Sequence, residues 1–182
     1  FLIPALLLVL VLASILRSPA SRAAAGLAVV ATGMSGMAIQ VVILFSFQIV
    51  HGSVFYQVGI QTSLFMIGLS TGAFIASRLD RARAADAPRI LLGAMTALAA
   101  LPVLIRLVLI GNQPGPIVFT AASLLAGAFA GLAFPAASTL WQRGGGRPAS
   151  AFGILYALDL LGACVGSLII GPLLVALLGI AA

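Results

Sequence analysis

The sequence predicts an all-α membrane protein, a polytopic bundle of about six transmembrane helices, and three observations carry that reading. Of 182 residues, 63% are hydrophobic and only 7% are charged, with a mean hydropathy of +1.28. A water-facing domain needs about a quarter of its residues charged to cover its surface. The apolar residues fall into long uninterrupted segments, and the arginines are confined almost wholly to alternate gaps between them. Together these exclude a soluble enzyme, a secreted disulfide scaffold and a disordered tail.

The apolar segments run over about 1–16, 24–50, 57–77, 88–111, 117–141 and 150–181, and form a single transmembrane domain over 1–182. The first would reach roughly 24 Å as a helix against a hydrocarbon core of about 30 Å, so the chain is expected to begin inside a helix of a longer polypeptide. Backbone groups in lipid must be satisfied within the segment, so each run is helical. The sixth would reach roughly 48 Å if straight, and Gly171-Pro172 is expected to kink or break it. Pro102 and Pro135 should bend the fourth and fifth segments in the same way.

The gaps hold the charge. Arg17 and Arg22 lie in the first; Arg78, Asp80, Arg81, Arg83, Asp86 and Arg89 in the third; Arg143 and Arg147 in the fifth. The second (His51, Gly52, Ser53) and the fourth (Gly111 to Pro116) carry no arginine. The positive-inside rule demands this alternation, so the first, third and fifth gaps are expected in the cytoplasm. The net charge of +6 and pI near 11.5 are thus a topology signal, and no nucleic-acid partner is implied. The partner is the lipid bilayer itself. The single cysteine, Cys164, lies in an apolar run with no second thiol.

Small residues every fourth position mark faces where membrane helices approach closely. Three segments carry such stripes: Gly68, Gly72 and Ala76; Ser123, Gly127 and Gly131; Gly162 and Gly166. A compact bundle with close crossings is the expectation.

Polar groups at depth are few. Asp159 lies about nine residues into the sixth segment, roughly 14 Å from its boundary, with Tyr156, Gly162, Ala163 and Gly166 at helical intervals. It is expected to face the packed side, as a proton- or cation-linked carboxylate or as a structural hydrogen-bonding group. Gln40 sits at similar depth on the face of Thr32 and Gly36, where it could bond Asp159 or make an interhelical hydrogen bond. Arg106 reads as a snorkelling side chain, His51 as a surface residue without metal-site partners, and Trp141 as an interfacial anchor. Neither HExxH nor a cysteine pair is present, and the run RGGGR from Arg143 to Arg147 leaves a membrane helix without following a strand. No catalytic, cofactor-binding or metal-ligating set is expected, and no cofactor.

Two phrases, FQIVHGSVFYQVG and LDLLGACVGSL, stand within the runs from Gly36 to Leu79 and from Tyr156 to Ile180. Through them most of 34–181 resembles the membrane region of bacterial spermidine synthase-like proteins. In that family a polyamine aminopropyltransferase-like soluble domain is commonly joined to helices related to the major facilitator superfamily. The run from Gly72 to Asp86 is also similar to the facilitator signature between paired helices, at Gly72, Asp80 and Arg81. The resemblance implies a facilitator-like half in the bacterial inner membrane. Members often carry Glu where Gln40 stands, and the Rossmann segment that binds the aminopropyl donor is not among these residues.

Three readings follow. The first is a non-catalytic membrane domain or subunit, acting as an anchor or structural component alongside other membrane subunits or a missing part of the same chain. The second is half of a facilitator-like secondary transporter. The third is the membrane part of an aminopropyltransferase whose soluble domain lies elsewhere.

Overall fold

The computed structural model describes residues 22–52, 55–82, 86–111, 115–145 and 148–177. They form five helices: α1 (Arg22–His51), α2 (Phe55–Ala82), α3 (Ala87–Gly111), α4 (Pro116–Arg143) and α5 (Pro148–Leu177). All five are long and apolar enough to cross a membrane. The first apolar segment lies outside the described residues. The helix over the third segment continues through Arg78 to Ala82, so the charged run expected in a gap begins on α2. Pro102, Pro135 and Pro172 all lie inside helices, and α5 continues past Gly171-Pro172 to Leu177 instead of breaking there. Membrane helices tolerate proline because neighbouring groups re-satisfy the freed carbonyls.

The helix ends follow from local chemistry. Pro116 starts α4 at a position whose N–H would have no partner in any case. Gly52 and Gly145 take φ of 81° and 83° where α1 and α4 end, a left-handed turn that side chains disfavour. Exposed hydroxyls along α2 and α3 are bonded back to their own helix, Thr62 to the Val58 carbonyl at 2.8 Å and Thr96 to that of Leu92 at 2.9 Å. This lets a hydroxyl face lipid without an unsatisfied donor.

α1 and α4 run antiparallel through the centre. At one end Arg22 Nε donates to the Gly144 carbonyl at 2.8 Å. At the other, Phe47 meets Phe119 edge-on at 5.6 Å between ring centroids, and His51 stacks on Phe47 at 4.7 Å. Arg22, Arg78, Arg89 and Arg143 all stand at the first of these ends, called here the arginine end; the second is the His51 end. Two apolar clusters fill the interior. The one toward the arginine end includes Val29, Leu91, Met95, Leu140 and Leu155. The one toward the His51 end includes Ile43, Phe47, Phe65, Leu98 and Phe119.

Two parallel helix pairs flank this axis, and both are closed by glycine. Between α2 and α4 the packing is reciprocal. A Cβ on Gly68 would collide with the Leu124 carbonyl oxygen and one on Gly72 with that of Ala128; one on Gly127 would collide with the Phe65 carbonyl and one on Gly131 with that of Leu69. Between α5 and α1, Gly162 seats on the Val30 carbonyl, Gly166 on that of Met34, and Gly33 on that of Asp159. Lipid supplies no hydrophobic drive between helices, so backbone approach and dispersion hold these pairs together. The three stripes of small residues are the seams of the bundle.

The two pairs are copies of each other. The displacement along the chain that carries Val30 onto Leu124 also carries Gly33 onto Gly127 and Met34 onto Ala128. It likewise carries Phe65 onto Asp159, Gly68 onto Gly162 and Gly72 onto Gly166. Every contact of a glycine with the facing backbone in the α1/α5 pair therefore has a counterpart in the α4/α2 pair. Arg22, where α1 starts, is carried onto Pro116, where α4 starts. Because α1 and α4 oppose each other, the copies are inverted about a pseudo-two-fold axis across the bundle. Gly36 and Ala130 are exchanged by the same displacement and lie in contact, with 3.4 Å from the position of a Gly36 Cβ to the Ala130 Cβ.

Candidate functional site

Asp159 sits on α5 about one turn before Gly162, half-buried against the backbone of α1 at Gly33. A Cβ on Gly33 would stand 2.6 Å from the Asp159 Oδ1. The missing side chain at Gly33 is thus what admits the carboxylate between the two helices. Among the described residues Asp159 has no ion pair or hydrogen bond; the ion pair formed there joins Arg89 to Asp86 at 3.2 Å, at the exposed start of α3. Tyr156 is 58% exposed, so the face of α5 turned to α1 runs through Leu155, Asp159, Gly162 and Gly166 without it.

Gln40 is buried, 4% exposed, on the face of α1 that carries Gly36 and Ile43. It lies about two turns beyond Gly33, and no hydrogen bond joins it to Asp159. Both atoms of its amide are without a partner. The structure therefore sets Asp159, Gln40 and Tyr156 apart and does not assemble them into one site. Gly72 packs on the Ala128 carbonyl, a seam position, and Asp80 and Arg81 lie further along the same helix.

Sequence reasoning passed over one residue and read another only as a small packing residue. Gln61 on α2 is fully buried, and Ser123 on α4, taken as part of a glycine stripe, is fully buried as well; neither side chain has a hydrogen-bond partner, and the same holds for the Ser35 hydroxyl. Gln61 shares its helical face with Phe65, Gly68 and Gly72, and that periodicity was the available signal. Trp141, expected as an interfacial anchor, is half-buried, with its ring 3.5 Å from where a Gly26 Cβ would stand. Arg78 lies over the Phe74 ring at 4.9 Å.

Uncharged amides and hydroxyls at these positions can donate and accept hydrogen bonds but supply no nucleophile-and-base pair. Among the described residues no group of three His, Cys, Asp or Glu comes together to hold a metal ion. No protein-family model matches the chain, and no curated protein and no solved structure matches it either.

Proposed function

We propose that this chain is the non-catalytic membrane domain of a spermidine synthase-like protein, an anchor or structural component of a larger membrane assembly in the bacterial inner membrane. The observation that carries the reading is the pair of glycine seams, which fasten α2 to α4 and α1 to α5 by direct backbone contact. Within each pair, helices fastened in this way resist sliding past one another, which suits a platform for other subunits or for a soluble domain of the same protein. The placement of Arg22, Arg78, Arg89 and Arg143 at one end supports an orientation with that end in the cytoplasm. The test is solute movement by the purified chain in proteoliposomes, with spermidine and putrescine as probes under an imposed pH gradient. A structural domain moves neither above the rate of empty vesicles. Saturable uptake would overturn the reading.

A second reading, half of a facilitator-like secondary transporter, is favoured by the inverted repeat. Many secondary transporters are built from such repeats, with one rigid bundle rocking against another. In this reading the other half is a second copy or another segment, and Asp159 is the coupling group. Loss of gradient-driven uptake in Asp159→Asn, with the fold intact, would support it; unchanged uptake would remove Asp159 from the mechanism.

A further inference from the structure

Gln61, Ser123 and Gln40 stand on three different helices, yet they belong to one level of the bundle. The Phe65 carbonyl packs on Gly127, and the Phe65 ring reaches within 4.0 Å of where a Gly36 Cβ would stand, so Phe65, Gly127 and Gly36 meet at one height. Gln61, Ser123 and Gln40 each lie about one turn from these three residues, and in every case the step is toward the His51 end. They are 0%, 0% and 4% exposed, and no amide or hydroxyl atom of the three has a partner.

The inverted repeat supplies an internal comparison. The displacement that relates the two copies exchanges Gln61 with Leu155, Ser123 with Val29 and Gln40 with Phe134. Leu155 and Val29 belong to the apolar cluster toward the arginine end, and Phe134 packs against it. Where the half toward the arginine end has Leu, Val and Phe, the corresponding positions toward the His51 end hold two amides and a hydroxyl. A buried amide or hydroxyl left without a hydrogen bond destabilises the fold, so three together are not a neutral substitution for Leu, Phe and Val.

We infer that Gln61, Ser123 and Gln40 form a buried, uncharged polar site that holds water between α1, α2 and α4 in the half of the bundle toward the His51 end. The two amides provide carbonyl acceptors and NH2 donors and the serine provides a hydroxyl, a set that matches the two to four hydrogen bonds an enclosed water makes. No charged side chain stands among the three, so none offsets the charge of an enclosed ion, whereas water needs only the hydrogen bonds they supply. Gln57, about one turn from Gln61 toward the His51 end and half-buried, continues the polar line toward the surface.

The test is hydroxyl-radical footprinting by X-ray radiolysis of the chain in lipid nanodiscs, read by mass spectrometry, since radicals formed from bound water label adjacent side chains. Phe65 is 4% exposed, whereas Phe134 is half-buried and more accessible. Bound water makes Phe65 the more heavily labelled of the two by severalfold; labelling in the order of exposure, with Phe134 ahead, overturns the site. The second arm uses Gln61→Leu and Ser123→Val, which install the residues that the other copy already packs. The double variant should lose most of the Phe65 label with Phe134 unchanged. In thermal melts it should be less destabilised than the two single variants added together, because each single change strands the other polar group. Additive melting shifts would overturn the shared site, and if the double variant folds too poorly to melt, the wild-type footprint decides the proposal by itself.

Discussion

Asp159 and Gly33 show how a single residue conditions another. The carboxylate fits between α5 and α1 because Gly33 has no side chain to occupy the space. Gly33→Ala is therefore expected to destabilise the chain by about 1–3 kcal/mol through overpacking, measured as a lowered unfolding midpoint in detergent. Asp159→Asn keeps the shape but removes the ionisable oxygen. An acidic side chain at the centre of a membrane helix costs about 2.5–3.5 kcal/mol on insertion scales, and no cation faces Asp159 among the described residues. Asp159→Asn should thus unfold at a higher midpoint than the wild type. A lower midpoint would mean that the carboxylate is held by a specific partner.

At the scale of the element, the glycines divide into two classes that composition does not distinguish. Gly68, Gly72, Gly127 and Gly131 lie where a neighbouring backbone would strike a Cβ, whereas Gly59, Gly93 and Gly153 have nothing within 4 Å of one. Gly127→Ala is expected to cost about 1–3 kcal/mol and to loosen α2 from α4. Gly93→Ala should stabilise α3 by about 0.5–1 kcal/mol, since alanine restricts the unfolded chain and meets no obstacle. Detergent-unfolding midpoints that shift in opposite directions for the two variants would establish the distinction; equal shifts would contradict it. The stripes at Gly68, Gly127 and Gly162 were legible because four-residue spacing places small residues on one helical face. Which stripe meets which was not, since any two such faces can pair.

For the whole molecule, the antiparallel course of α1 and α4 fixes which loops share an end. Cysteines placed at Gln142 and Gly115 in a Cys164→Ala background should label from opposite sides of the membrane, with the Gln142 site on the side of the arginines. Labelling of both from one side would refute the span assignment of α4. The alternation of charge between the gaps was readable from the arginines alone. The inverted repeat was not, because its related positions share shape more than identity: Gly33 and Gly127 match, while Asp159 corresponds to Phe65 and Leu155 to Gln61.

The sequence by itself determined that the described residues form apolar helices long enough to cross a membrane, where those five segments lie, and which faces have room for a neighbouring backbone. Those properties follow from hydropathy and helical period, which act within a segment. Tertiary structure alone decided that Asp159 lies against Gly33 and apart from Gln40, that α2 pairs with α4 and α5 with α1, and that Gln61, Ser123 and Gln40 converge at one level. Each of those outcomes depends on the rotation and register of one helix against another. In lipid these are set by the summed fit of many small contacts, and no single residue announces them.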